Sequence, residues 1–84
     1  MLKVLFFARI REELGCDSLS LKWSPSLARL DDLQDHLCVA HGEQWQSVLG
    51  QDNMIRAVNQ AIVSGDHALH DGDEVAFFPP VTGG

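Results

Sequence analysis

The stretch LKVLFFARI, residues 2–10, alternates in side-chain type with the period of two that is typical of a β-strand. One set of alternate positions is wholly apolar and consists of Leu2, Val4, Phe6, Ala8 and Ile10. The other set is mixed, because Leu5 and Phe7 stand between Lys3 and Arg9. A strand with one face in solvent normally carries polar residues on that face. We therefore expect a strand whose second face is either covered as well or kept for a partner.

The rest of the chain supplies further strand-like segments and short connections. Residues 12–18, EELGCDS, predict a turn. Residues 43–49, EQWQSVL, predict a short helical turn that packs through Trp45 and Leu49. The remaining strands are predicted at residues 18–23, at 54–64 as two short strands around a turn at Asn59 and Gln60, and at 74–79.

The segment SPSLARLDDLQDHLCVAHG, residues 24–42, changes to the period of a helix. Its apolar stripe consists of Leu30, Leu33, Leu37 and Ala40, and the outward positions are Asp31, Gln34, Asp35 and His41. Gly42 predicts where the helix stops. The start stays open, since Ser24 or Ser26 could cap the helix, whereas Arg29, directly before the stripe, has no capping oxygen.

The order of these elements, β-β-α-β-β-β, predicts an α+β fold in which a mixed β-sheet carries one main helix on one face. The other face of the sheet is then left without a helix. The apolar residues that point outward from it are Leu5, Phe7, Ile62 and Phe78. Apolar patches on small proteins mark interfaces. The alternative is that these side chains form a second, minor core under residues 42–53.

Length and charge limit what the chain can do. We expect one domain, residues 1–84, that buries about 60 to 65% of its unfolded surface. Such a core is too small for a large enclosed substrate cavity, so a binding or carrier module is favoured. With 6 Lys and Arg against 12 Asp and Glu, the net charge of −6 opposes binding to nucleic acid and to anionic membranes. A partner with a basic face suits this charge better.

Residue types that often carry catalysis or bind metal form no motif in this sequence. Cys16 and Cys38 lack CxxC spacing and a neighbouring base, so we expect reduced thiols in the cytoplasm. The pair His67-x-x-His70 has no third ligand at a defined spacing, and we expect a polar loop without metal. The apolar run at the N-terminus is too short for a signal peptide and is interrupted by Arg9.

The chain ends on FFPPVTGG, and residues 79–84 predict an extended tail. The two prolines fix φ and end the last strand, so the tail leaves the fold extended. Val81 and Thr82 offer side chains that a channel can hold. Gly83 and Gly84 lack Cβ atoms and pass through narrow spaces. An α-carboxylate is ionised near neutral pH and can attack an activated phosphate to give an acyl-adenylate.

Three stretches resemble the small sulfur-carrier subunits of molybdopterin synthase: KVLFFAR with the following RE within residues 3–12, AVNQ at 57–60, and HALHDGDEVAFFPPVTGG at 67–84. The resemblance implies a β-grasp, ubiquitin-like fold. It also implies that a partner enzyme adenylates Gly84 and that the product is converted to a thiocarboxylate. The sulfur is then transferred to a pyranopterin precursor and builds the dithiolene that holds molybdenum.

The same resemblance implies the partners and the residues that meet them. The large synthase subunit, in a heterotetramer of two small and two large subunits, holds the active site, and the carrier supplies only the thiocarboxylate. The other partners are an E1-like adenylating enzyme, which uses ATP, and a sulfur donor protein; no cofactor is bound permanently. The implied tail-insertion residues are Val81, Thr82 and Gly83, and the implied partner interface consists of Phe7, Ile62 and Phe78.

Three other functions remain open on the sequence. A sulfur carrier for thiamine synthesis or tRNA thiolation has the same fold and the same Gly-Gly end. The same fold and Gly-Gly end are also compatible with a ubiquitin-like modifier that forms isopeptides, or with a binding module that has an inert tail. The combination of FFPPVTGG with AVNQ favours the molybdopterin pathway.

Overall fold

The computed structural model describes residues 1–51 and 54–79, which form a five-stranded mixed sheet with α-helices on one face. The strands are β1 (Leu2–Phe6), β2 (Ser18–Leu21), β3 (Ile55–Val58), β4 (Ala61–Val63) and β5 (Glu74–Phe78). The helices are α1 (Ala8–Leu14), α2 (Leu30–Ala40) and α3 (Glu43–Leu49), and a 3-10 turn spans Pro25–Leu27. The α+β class and the five strands are those predicted.

The strand order in the sheet is β2-β1-β5-β3-β4. The central strands β1 and β5 are parallel, and every other neighbouring pair is antiparallel. The first and last strands of the described chain therefore lie side by side in the middle of the sheet, and α2 crosses one face. This is the β-grasp arrangement that the resemblance implied.

One hydrophobic core lies between the sheet and the helices. In the parallel pair, Val4 lies beside Val75 and Phe6 beside Phe77, and all four side chains are buried. The helical stripe covers them, with Leu30, Leu33 and Leu37 fully buried, as predicted. Burying a side chain of this size contributes about 1.5 to 3 kcal/mol. Ala40 of the predicted stripe is exposed instead, because α2 ends at that residue and the core does not extend so far.

The first strand is shorter than predicted, because β1 ends at Phe6 and residues 8–14 are helical. The predicted strand is therefore correct for residues 2–6 and wrong for residues 8–10. The turn predicted over residues 12–18 is wrong for residues 12–14, which belong to α1. Ile10 fits a period of two with β1, but it also lies four residues before Leu14, the spacing of one helical face. Arg, Glu and Leu are good helix formers. Gly15, with φ 64, ends α1 in the left-handed conformation that glycine favours.

Helix α2 begins at Leu30, and another part of the chain caps it. Arg29 occupies the N-cap position, and its side chain makes no capping hydrogen bond, as predicted. Instead, Oδ1 of Asp66 accepts a hydrogen bond from the backbone N–H of Asp31 at 2.9 Å. The N–H of Leu30 donates to the carbonyl oxygen of His67 at 2.8 Å. The loop before β5 thus satisfies N–H groups that no local residue satisfies.

Helix α3 packs on the same side of the sheet as α2. The ring of Trp45 meets Phe6 edge-on with centroids 5.4 Å apart, and Leu49 is fully buried in the core. The predicted packing of residues 43–49 through Trp45 and Leu49 is confirmed. The alternative in which residues 42–53 cover the outer face is wrong for the part that the structure describes, because α3 lies on the inner face.

The hairpin of β3 and β4 is closed by Asn59 and Gln60, as predicted. Both residues have positive φ, 50 and 70, which is the conformation of a two-residue turn that follows the sheet twist. The side chain of Asn59 fixes the turn to the start of β5, since its Oδ1 accepts from the N–H of Glu74 and its Nδ2 donates to Asp73, both at 3.0 Å.

Candidate functional site

The outer face of the sheet, opposite the helices, carries a continuous apolar surface. The register aligns Leu5, Ala76, Ala57 and Ile62 in one row across four strands. A second row places Phe78 opposite Ile55, with Phe7 beside Phe78. We call this surface the outer patch; it consists of Leu5, Phe7, Ile55, Ala57, Ile62, Ala76 and Phe78.

The two phenylalanines of the outer patch form a stacked pair. Their rings are nearly parallel, with an interplanar angle of 5° and centroids 4.7 Å apart. The N–H of Phe7 donates to the carbonyl oxygen of Phe77 at 3.2 Å, so the backbone of Phe7 remains bound to β5 beyond the end of β1. Pro79 follows Phe78 directly. The stacked pair therefore lies at the point where the chain leaves the sheet toward its C-terminus.

Exposure is concentrated at two parts of the outer patch. The side chain of Ile62 is 76% exposed on the edge strand, and that of Phe7 is 37% exposed. Ala57 and Ala76 lie between Ile62 and Leu5 in the register and are buried. Within residues 1–51 and 54–79 the core-forming residues of all three helices lie on the opposite face. An apolar surface of this kind on a small protein is typical of an interface.

A polar row limits the outer patch on the side away from the stacked pair. There Lys3 pairs in register with Glu74 on one side and with Ser20 on the other. Charged side chains at a rim contribute more to the rate and specificity of association than to its affinity. The patch thus has an apolar centre and a polar border, which is the composition of a protein–protein interface.

The structure brings the predicted interface residues together on one surface. Phe7 and Phe78 are in contact, and Ile62 lies two strands from β5, which is about 10 Å at the usual strand spacing. Sequence reasoning missed Ile55, Ala57 and Ala76. Their positions follow from period-two alternation once the register of β3 against β5 is known, but the sequence does not contain that register.

The predicted tail residues Val81, Thr82, Gly83 and Gly84 lie outside the described residues. Pro79, where the tail begins, is half-buried. The predictions for the tail therefore stay predictions from the sequence.

Arg56 ties the hairpin that carries Ile62 to the main helix. Its guanidinium donates to Oδ1 of Asp31 at 2.6 Å, to Oε1 of Gln34 at 3.0 Å and to the carbonyl oxygen of Gly65 at 2.7 Å. The side chain of Arg56 is only 13% exposed. One residue of β3 therefore fixes α2 and the segment after β4 relative to the sheet, and with them the edge of the outer patch.

The other candidate groups lie apart from the outer patch. Cys16 and Cys38 are both free thiols, and burial, together with nearby Asp35, raises the pKa of Cys38. In the described part of the chain no group of three or more His, Cys, Asp or Glu side chains is arranged to hold a metal ion. Nor does any helix there combine the length and apolar composition that crossing a membrane requires.

Comparison with known proteins places the chain in a family. A sequence model of the ThiS family matches residues 4–84. The chain belongs to the ThiS family. Within this family, the molybdopterin synthase sulfur carrier subunit of Escherichia coli (strain K12) is 46% identical over 84 residues, which is 100% of both chains. The resemblance seen in the sequence is thereby confirmed.

Solved structures similar to this family member share its fold. A protein–protein complex of subunits 1 and 2 of the molybdopterin-converting factor from Helicobacter pylori 26695 contains a chain that is 27% identical, with a TM-score of 0.67 and coverage of 99% of this chain and 97% of that one. The small archaeal modifier protein 1 of Haloferax volcanii is 27% identical, with a TM-score of 0.76 and coverage of 95% and 97%. The β-grasp fold is confirmed by both.

Proposed function

We propose that this chain is the sulfur carrier of a molybdopterin synthase and that it acts in the biosynthesis of the molybdenum cofactor. The observation that carries the proposal is the full-length similarity, at 46% identity, to a relative with that name. The outer patch supports it, since a carrier must be bound by its partners and this surface is apolar, partly exposed and next to the start of the tail.

The reactive group in this proposal is the carboxylate of Gly84. An E1-like partner brings ATP, the carboxylate attacks the α-phosphate, and pyrophosphate leaves. A hydrosulfide equivalent delivered by a sulfur donor protein then attacks the acyl carbon of the acyl-adenylate, the C–S bond forms as AMP leaves, and the product is the thiocarboxylate. Gly83 has no side chain that would block a narrow channel in the partner. Val81 and Thr82 have side chains that the walls of the channel can contact. We place these steps in the cytoplasm, where the free thiols of this chain are stable.

The large synthase subunit is the proposed partner of the outer patch. The chain from Helicobacter pylori, which shares this fold, is seen together with subunit 2 of its factor. In our proposal Phe7, Ile62 and Phe78 pack against the large subunit, and the tail enters its active site. Two carriers and two large subunits make the complete enzyme. The net charge of −6 suits docking to subunits that hold a phosphorylated substrate with basic residues.

Intact mass spectrometry tests the proposal. The chain is co-expressed with the activating enzyme and a sulfur donor, and we expect the mass change of one oxygen replaced by sulfur at Gly84. A variant without Gly84 is the control: it should show no oxygen-to-sulfur mass change and lose sulfur transfer, yet still bind the large subunit. An unchanged mass of the native chain under these conditions contradicts the proposal.

A second candidate function is the modification of other proteins. It is favoured by the fold shared with the small archaeal modifier protein 1 of Haloferax volcanii. An epitope-tagged chain, expressed in its own host and examined by denaturing gel, distinguishes the two functions. Tagged conjugates of higher mass that require Gly84 favour a modifier, whereas free chain with a thiocarboxylate favours the carrier.

A further inference from the structure

The chain passes from β1 to α1 through an unusual backbone conformation at Ala8, whose φ is 53. Among the described residues, Asn59 and Gln60 also combine a side chain with positive φ, but they form a two-residue hairpin turn that requires it. Ala8 lies in no such turn. Alanine rarely adopts this region, because its Cβ then approaches the following carbonyl oxygen. A conformation of this cost persists only where the surrounding structure imposes it.

Ala8 separates two residues that are anchored on opposite faces of the sheet. Phe7 is extended, with φ −122 and ψ 155, and its N–H donates to Phe77 on β5. Ile10, two residues beyond Ala8, is 1% exposed and belongs to the core on the helix side. The left-handed conformation of Ala8 bends the chain sharply. The side chain of Phe7 can therefore lie on the outer face of the sheet, while α1 packs on the core side.

The start of α1 does little else to hold this geometry. Phe7 gives the helix no side-chain cap, and the first-turn bond from the N–H of Arg11 to the carbonyl oxygen of Phe7 is long, at 3.5 Å. Phe7 is held by its bond to Phe77 and by stacking on Phe78, and the chain turns away directly after it, at Ala8.

The consequence of this geometry is seen at the stacked pair. Phe78 is fixed by its strand, opposite Ile55. Phe7, which directly follows the neighbouring strand β1, meets it with rings 4.7 Å apart and nearly parallel. An aromatic pair that is ordered before binding loses less conformational entropy when a partner covers it. Phe78 directly precedes Pro79, where the predicted tail begins.

We propose that Ala8 is a positioning residue whose left-handed backbone holds Phe7 against Phe78, so that the free carrier presents a preformed aromatic surface to the large subunit at the base of the tail. This inference rests on the proposed function for the identity of the partner. The backbone conformation of Ala8 lowers folding stability, and the affinity for the large subunit is gained at the neighbouring side chain of Phe7.

Three substitutions at residue 8 separate the backbone conformation from the side chain. Ala8→Val is disfavoured at positive φ because of its branched Cβ. Glycine permits positive φ, and D-alanine, introduced by peptide ligation, prefers it. If only about a tenth of the valine variant keeps the rings stacked, its dissociation constant for the large subunit rises about tenfold. Glycine should bind nearly as the native chain does, and D-alanine at least as tightly, with a higher Tm.

Two readouts go beyond folding. NOEs between the rings of Phe7 and Phe78 in the free carrier should weaken in Ala8→Val and return with D-alanine. In sulfur transfer, the valine variant should show a raised KM for the carrier with an unchanged kcat, since the chemistry at Gly84 is not altered. If Ala8→Val does not fold, D-alanine alone tests the proposal, since it should keep the NOEs and bind at least as tightly as the native chain.

The proposal is overturned if the valine variant has a lower Tm but native NOEs and native affinity, because Ala8 is then only structural. It is also overturned if D-alanine fails to restore the ring contact, because the side chain and not φ then matters. If the native chain itself does not bind the large subunit, the proposed function fails. The NOEs in the free chain still decide the role of Ala8 in that case.

Discussion

The carboxylate of Asp66 lies between the side chain of Arg29 and the N-terminus of α2. Its Oδ2 is 2.6 Å from Nε of Arg29, and its Oδ1 is 2.9 Å from the backbone nitrogens of Asp31 and His67. The hydrogen bond from Arg29, followed by that from Asp31, lowers the pKa of Asp66 from 3.8 to about 2. A residue in the loop before β5 thus fixes the start of the main helix.

The first prediction concerns Asp66→Ala, which removes this cap. We expect it to lower the free energy of unfolding at pH 7 by about 0.5 to 2 kcal/mol, the usual contribution of an N-cap. Urea unfolding followed by circular dichroism measures the loss. Asp35→Ala removes the same charge from a position on α2 that caps nothing, and should change stability much less. Equal losses in both variants would show that charge, not capping, is responsible.

The second prediction concerns pH. The folded pKa of Asp66 is depressed, so its contribution is present above the unfolded pKa of 3.8 and is lost as the pH falls from about 4 toward 2. Asp66→Asn keeps an oxygen that can cap but cannot ionise. The difference in unfolding free energy between the native chain and this variant should therefore shrink across that range. A difference that is constant from pH 5 to about 2 contradicts the assignment.

Local patterns in the sequence predicted part of the outer patch, because alternation places Leu5, Ile62 and Phe78 on definite faces, but the patch residues on β3 were missed. They did not predict α1, since Ile10 satisfies the period of a strand and that of a helix equally well. They also did not predict the cap by Asp66, which lies 35 residues after Asp31. Such contacts depend on the tertiary register, and no short window of sequence contains it.

The third prediction concerns the hairpin turn at Asn59 and Gln60. Gln60→Gly removes the cost of a side chain at φ 70, about 1 to 2 kcal/mol, and adds back about 0.5 to 1 kcal/mol of unfolded-state entropy. We expect a higher Tm, with the outer patch unchanged. Gln46→Gly, in the middle of α3, makes the same substitution at a helical position and should be destabilising by about 1 kcal/mol. A loss of stability in both variants would indicate that the Gln60 side chain has a favourable role.

The fourth prediction tests the outer patch with Ile62→Asp. Because this side chain is 76% exposed, the free chain should fold normally, whereas affinity for the large subunit should fall by about tenfold or more when the charge is buried at the interface. Val39 on α2 is 83% exposed on the helix side, so Val39→Asp is a matched control that should bind normally. Isothermal titration calorimetry measures both. Weakened binding in the control alone would place the interface on the helices.

The fifth prediction concerns Arg56, whose half-buried guanidinium joins α2, β3 and the segment after β4. Arg56→Met keeps the apolar stem and removes three donated hydrogen bonds, which should cost about 1 to 3 kcal/mol of unfolding free energy. Arg9→Met is the control, because Arg9 forms only an exposed pair with Glu13 at 3.6 Å, worth about 0.3 to 0.5 kcal/mol. Since Arg56 also fixes the hairpin that carries Ile62, amide exchange in β4 should accelerate in Arg56→Met and not in Arg9→Met. Unaltered exchange in β4 would mean that strand pairing alone holds the edge of the outer patch.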